Sequence, residues 1–243
     1  MTKEQLTISL NEVIFFFTRA GFGLKVPVGV AEDFARSNVW IAENGFDPSL
    51  CSIGALDNIE CQASDLEILF KKTEYGGRFY CPSDLYLSSL IASVSVVDRI
   101  NLGIKDNQLV MKNVDFPILV IAAMGANKCN SLQAFWLDES NHEYLVRFVA
   151  EGVWEVVSSN SQPIELSKGA NMIIQPVSSE ITQPSNANVK RYTTANEKEK
   201  ILQNGVRVGE KWQGIYDYFS RCLVKSTVES RASGAGAGMV DTD

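Results

Sequence analysis

The residues that could do chemistry lie towards the two ends of the chain. An arginine can grip a carboxylate with two N–H groups, and a glycine lets backbone amides come close to a ligand. Both residue types occur in Thr18-Arg19-Ala20-Gly21-Phe22-Gly23 and again in the last 15 residues, so we predict a site for a small anion. Its expected substrate-binding residues are Arg19, Glu32, Arg231, Gly234, Gly236 and Gly238.

The same residues have a second interpretation, which the sequence leaves open. Arg19, Glu32 and Arg36 fall in predicted helices, where solvated charges are common and contribute little to stability. The alternating glycine and alanine near the end cannot fill a core. This segment is either a free tail or a tail docked on a partner subunit or on a cationic group such as Arg19 or Arg36.

Common catalytic signatures do not occur in the sequence. No glycine turn has the G-x-G-x-x-G spacing between a strand and a helix, and no G-x-x-x-x-G-K-[ST], G-x-S-x-G or H-E-x-x-H is present. The single histidine, His142, lies between two predicted strands and is interpreted as a turn residue. We therefore assign no catalytic residue and predict no cofactor.

The five cysteines are scattered and include no Cys-x-x-Cys pair. This pattern indicates neither a zinc site nor a disulfide framework, so we predict no metal site and five free thiols. Most are interpreted as buried structural thiols, because free cysteine is usually buried. Cys81, which precedes Pro82, fits that interpretation least simply.

The elements that must position these residues divide a single predicted domain, 1–243, into three parts. Residues 1–104 are predicted to be helical, 105–193 strand-rich, and 194–243 helical with the glycine and alanine tail. Three helices are expected in the first part: one from Ser9, where Ser9 and Glu12 have the spacing of a capping box, to Gly21 or Gly23, one over 30–44 ending at Gly45, and one over 83–100.

Short runs rich in β-branched and aromatic residues predict the central strands. These runs are QLVMKNV, PILVIAAMGA, LQAFWLD, YLVRFVAEGVWEVVSS and ANMIIQPVS. Two further helices are expected in NEKEKILQNG and GEKWQGIYDYFSRCL, and a loop over 178–188. Strands that follow one another without helices favour an α+β fold. We expect an N-terminal helical hairpin and a C-terminal helix packed on a mainly antiparallel or mixed central sheet.

Composition narrows the classes of partner. The 243 residues carry a net charge of −7 and no basic stripe, so no nucleic acid is expected. The longest apolar run has about half of the ~20 residues that a membrane helix requires. The first residues lack the blocks of a secretory signal. We therefore expect a soluble cytoplasmic protein with no membrane contact.

Three stretches carry a resemblance to a known family: SLNEV with the following RAGFGLKVPVGVAEDFARSNVWIAENG, then PSDLYLSSLIASVSVVDRI, and the ending ESRASGAGAGMVDTD. Together they resemble the bacterial family called domain of unknown function 3726, over nearly the whole chain. The chain departs from the family's ending at Met239, Val240 and Thr242. The resemblance implies no activity.

These observations predict an enzyme, or an enzyme subunit, of small-molecule metabolism that acts on an anionic metabolite. The alternative is a non-catalytic accessory or assembly protein whose C-terminal tail docks on a partner subunit, and a metabolite-binding module is a third candidate. The expected partners are a small-molecule ligand and either further copies of the chain or a partner subunit.

Overall fold

A computed structural model describes residues 6–103, 108–159, 162–178 and 188–223. Seven helices lie in these ranges: α1 Leu10–Gly23, α2 Val28–Glu43, α3 Ser49–Glu60, α4 Ser89–Asn101, α5 Pro117–Ala126, α6 Thr194–Asn204 and α7 Trp212–Ser220. A 3₁₀ turn spans Ile164–Leu166. The strands are β1 Leu6–Ile8, β2 Ser64–Asp65, β3 Leu69–Thr73, β4 Gly76–Tyr80, β5 Tyr86–Leu87, β6 Gln108–Val114, β7 Leu132–Leu137, β8 Glu143–Ala150, β9 Val153–Ser158, β10 Ala170–Pro176, β11 Asn188–Thr193 and β12 Val206–Val208.

Ten strands form one mixed, largely antiparallel sheet. Its main path runs β11-β9-β8-β7-β10-β6-β4-β3, with β5 beside β6 and β2 beside β5. The pairs β4–β6, β5–β6 and β2–β5 are parallel and the others antiparallel. Strands β1 and β12 form a separate antiparallel pair. The α+β class is therefore confirmed.

The two faces of the sheet differ in burial. On the inner face, Met111, Met172, Trp136 and Tyr144 align across four neighbouring strands and are fully buried. Helix α2 packs on this face, where the ring of Trp40 lies 4.9 Å from that of Trp154 in β9. On the outer face, the neighbouring residues of β6, β7 and β10 are only half-buried: Val110, Phe135 and Ile173. This outer face carries the candidate site.

The predicted helical hairpin is present as α1 and α2, which pack together. Ser9 caps α1 and forms the predicted capping box: the Glu12 N–H donates to Ser9 Oγ, and the Ser9 N–H donates to Glu12 Oε2. Helix α2 begins two residues before its predicted start and is followed by Gly45, whose φ of 82° is left-handed as such a stop requires. The C-terminal helix α7 packs against α1.

The strand prediction for PILVIAAMGA is wrong, because these residues form α5. Pro117 occupies the first helical turn, where its missing N–H costs nothing. Eight of the ten residues are buried, so the helix is apolar on all sides and shows no helical period. A short apolar run of this kind cannot be distinguished from a buried strand by its pattern.

The first 104 residues are less uniformly helical than predicted. Helix α4 begins at Ser89, six residues after its expected start, because Ser88 caps it by accepting from the Leu90 N–H. The predicted helical region also contains the β3–β4 hairpin, which the sequence patterns did not reveal. In α7, Tyr218 is buried, whereas Tyr216 is exposed.

Asp115 joins two helices and is almost completely buried, with 1% of its surface exposed. Its Oδ1 accepts from the Ser89 N–H of α4 at 2.8 Å and from the Phe116 N–H at the start of α5 at 2.7 Å. Among the described residues, Asp115 Oδ2 has no hydrogen-bond partner. Burial raises the pKa of this carboxyl to about 6.

We expect Gly125→Ala to destabilise the protein by about 1–3 kcal/mol, because the added methyl would overlap the indole of Trp40. The control is Gly29→Ala in α2, where a methyl would meet no atom within 4 Å and alanine is favoured by up to about 1 kcal/mol. Urea denaturation of both variants checks this. Equal stability of Gly125→Ala and wild type would show that α2 and α5 are not packed as described.

Candidate functional site

Three cationic side chains project from the outer face of the sheet near its β3 edge. Lys71 of β3 lies directly opposite Arg78 of β4, and Arg78 pairs with Val110 of β6. Because side chains alternate along a strand, Lys112 lies on the same face as Val110. The three cations line one cavity of about 400 Å³, which we call the cation cavity.

The β6 side of this cavity is shaped by a β-bulge. Between the pairs Ala170–Val114 and Met172–Met111, two residues of β6 oppose only Asn171 of β10. One of them, Asn113, has a left-handed φ of 54°, and its N–H donates to Asn171 Oδ1 at 3.1 Å. Bulges are frequent next to functional sites because they redirect side chains.

The segment after β4 closes the other side of the cation cavity. The Cys81 Sγ and Ser83 Oγ lie 2.9 Å apart, and Asn113 Nδ2 donates to the Leu85 carbonyl at 3.3 Å. The second contact holds the segment against β6. Tyr80, Ser83 and Asn113 add neutral donors to the lining, and Asp84 is its one carboxylate.

The cations of this cavity have no ionic partner in the described ranges. No salt bridge there involves Lys71, Arg78 or Lys112, although other lysines and arginines pair, as Lys128 does with Glu151 at 2.6 Å. Like charges directly opposite in a sheet destabilise each other. A bound anion would remove this repulsion, and arginine can bind a carboxylate or phosphate through two hydrogen bonds.

The two predicted site residues within the described ranges, Arg19 and Glu32, lie outside the cation cavity. The guanidinium of Arg19 lies 3.8 Å over the ring centroid of Phe15 in α1, and Glu32 is exposed on α2. In the described part of the chain no hydrogen bond or ion pair joins the two, and neither lines the cation cavity. The remaining members, Arg231, Gly234, Gly236 and Gly238, lie outside the described residues. The site built from these six residues stays a prediction.

Arg36, the other helical charge, forms an ion pair of 2.6 Å with Asp33 one turn earlier in α2. His142 lies in the turn between β7 and β8, as interpreted, with Nδ1 3.4 Å from Asp138 Oδ2. Metal binding needs several such groups together, and the described ranges contain no cluster of three histidine, cysteine or acidic side chains placed to hold an ion.

All five cysteines are free thiols. Burial raises the pKa of Cys51 to about 12 and that of Cys129 to about 11, which keeps both protonated and supports their interpretation as structural residues. Cys81 differs from them because it lines the cation cavity. Across the residues described, no helix has both the length and the apolar character that crossing a membrane requires.

Sequence reasoning missed the cation cavity because its cations come from three strands and share no motif. One signal was available. Lys71 lies three residues before Glu74 and Arg78 three residues after Tyr75, and the glycines Gly76 and Gly77 follow this Glu74-Tyr75 turn between two β-rich runs. That pattern predicts a hairpin in which the two cations face each other.

No protein-family model matches the sequence, and no curated protein matches it. Solved structures do resemble the fold. A protein of E. coli described as a malate/lactate dehydrogenase has a TM-score of 0.57 at 7% identity, covering 94% of this chain and 99% of that one. Sulfolactate dehydrogenase from Methanocaldococcus jannaschii has a TM-score of 0.56 at 8% identity, covering 88% and 96%.

The third comparison is Δ1-piperideine-2-carboxylate reductase from Pseudomonas syringae, with a TM-score of 0.55 at 8% identity, covering 88% of this chain and 99% of that one. At such identities the similarity concerns the fold alone. This chain and these enzymes share one architecture over nearly their whole lengths.

Proposed function

We propose that this protein is an enzyme of small-molecule metabolism whose anionic substrate binds in the cation cavity. The observation that carries the proposal is the set of Lys71, Arg78 and Lys112, which form no salt bridge within the described residues of a chain whose net charge is −7. Three cations and one carboxylate leave the cavity positive, which favours a ligand with more than one negative charge.

The fold comparisons support the same class of ligand by analogy. The names of the three similar proteins refer to malate, lactate, sulfolactate and a piperideine carboxylate, all of which are small carboxylates. Within the cation cavity, the hydroxyl of Tyr80 and the thiol of Cys81 are groups that could transfer a proton to or from such a ligand.

Calorimetric titration with L-malate, L-lactate and inorganic phosphate tests the binding part of this proposal. We expect the dianions to bind more tightly than L-lactate, and their affinity to fall as salt is added, because exposed charges are screened. If none of the three anions binds at low salt, the cavity is not an anion site.

Turnover is tested separately by incubating the protein with a cell metabolite extract and following the loss of anions by mass spectrometry. Loss of a specific anion, absent in a variant without Lys71 and Arg78, would support an enzyme. Binding without any loss would instead support the non-catalytic alternative, an accessory or metabolite-binding protein.

A further inference from the structure

A second cavity, of about 330 Å³, lies on the helical side of the sheet between α2, the end of α5, the β8–β9 turn and α6. It shares no residue with the cation cavity. Its volume falls at the small end of the ~300–1,000 Å³ of typical ligand sites. We call it the ion-pair cavity, after the two ion pairs that line it.

Its floor is aromatic and held in place by the fold. Trp40, Phe148 and Trp154 are all buried, with the Trp40 ring 4.9 Å from Trp154 and 6.4 Å from Phe148. Trp154 Nε1 donates to Asn44 Oδ1 at 2.8 Å, and its ring stacks on Tyr192 at 4.4 Å. Trp154 is only 1% exposed, so the surface open to a ligand consists of small parts of Trp40 and Phe148, which this packing holds in place in advance.

Its walls carry two charges of each sign. Lys128 pairs with Glu151 at 2.6 Å, and Lys198 pairs with Glu43 at 2.6 Å. The side chains of the first pair are 70% and 66% exposed, and the fold gains little stability from such a surface pair. The side chains of the second pair are less exposed, at 45% for Lys198 and 16% for Glu43. Together the two pairs leave the ion-pair cavity neutral overall, unlike the cation cavity.

We propose that the ion-pair cavity binds a zwitterionic α-amino acid with an aromatic side chain. The ligand's ring lies against the exposed parts of Trp40 and Phe148 on the floor. Its ammonium group pairs with Glu43 and Glu151, and its carboxylate pairs with Lys128 and Lys198. On binding, each glutamate can exchange its lysine partner for the ligand's ammonium group, and each lysine can exchange its glutamate partner for the ligand's carboxylate. No charge is then left unpaired. This proposal is independent of the one for the cation cavity.

Titration with L-phenylalanine, followed by calorimetry and by the fluorescence of the floor tryptophans, tests the proposal. Phenylacetate and phenethylamine each retain the ring and only one of the charges, and we expect both to bind at least tenfold more weakly. Glu151→Gln and Lys128→Gln should each weaken binding of L-phenylalanine at least tenfold while leaving the melting temperature nearly unchanged.

The matched control is Glu60→Gln, which removes an exposed ion pair with Arg221 in another part of the molecule and should leave binding as in wild type. The proposal is overturned if L-phenylalanine shows no saturable binding up to about 10 mM. It is equally overturned if the singly charged analogues bind as well as the amino acid, or if the double variant at Glu151 and Lys128 binds like wild type.

Discussion

Replacing Lys71 and Arg78 together by glutamine should weaken the binding of L-malate at least a hundredfold without destabilising the fold. Hydrogen bonds to charged groups contribute about 1.5–3 kcal/mol each, and every 1.4 kcal/mol changes affinity about tenfold. The two cations lie directly opposite each other without a carboxylate between them. Their removal also removes a repulsion, so the melting temperature should stay constant or rise slightly.

Lys72→Gln provides a matched control for this experiment. Lys72 is the next residue in β3 and carries the same charge, but strand alternation turns its side chain to the opposite face. Calorimetry at several salt concentrations should show that only the double variant loses the salt-dependent part of binding. A double variant that binds like wild type would contradict the site, and one whose melting temperature falls by several degrees would show a structural role for these cations.

Much of the fold could be predicted because local signals determine it. The capping box at Ser9 and the glycine after α2 act within one or two helical turns, and both helices begin or end within two residues of the predictions. Strands β6 to β10 show the expected β-branched pattern. Helix α5 was assigned wrongly because its burial on all sides removes the amphipathic period on which helix prediction depends.

The candidate site could not be predicted in the same way, because its geometry depends on pairing between distant segments. Lys71 and Lys112 come together only through the parallel pair β4–β6, whose strands are separated by α4 and the short strand β5. No local spacing encodes that register. Arg19 was predicted to bind the anion because of its residue type and the glycines near it. In the fold, however, its guanidinium lies over the ring of Phe15 in the same helix.

The buried carboxyl of Asp115 should make stability depend on pH in an unusual direction. Its pKa is about 6 in the folded protein, against an ordinary value of 3.8 for the unfolded chain. Between these values the folded state binds more protons than the unfolded state, so this group stabilises the fold as the pH falls. Its contribution to the free energy of unfolding should be about 1.4 kcal/mol larger at pH 5 than at pH 8, and this stabilisation is lost as the pH rises through 6.

Asp115→Asn isolates this effect because the amide oxygen can still accept from the N–H groups of Ser89 and Phe116. As the pH rises from 5 to 8, the free energy of unfolding of the variant should increase by about 1.4 kcal/mol relative to that of wild type. Urea unfolding at pH 5, 6.5 and 8 measures this difference. Asp115→Ala removes the acceptor for both helices and should be about 2–4 kcal/mol less stable than Asp115→Asn at every pH, because two buried N–H groups lose their partner. If wild type and Asp115→Asn change in parallel with pH, the carboxyl does not titrate in this range, and burial at the junction between α4 and α5 does not place its pKa near 6.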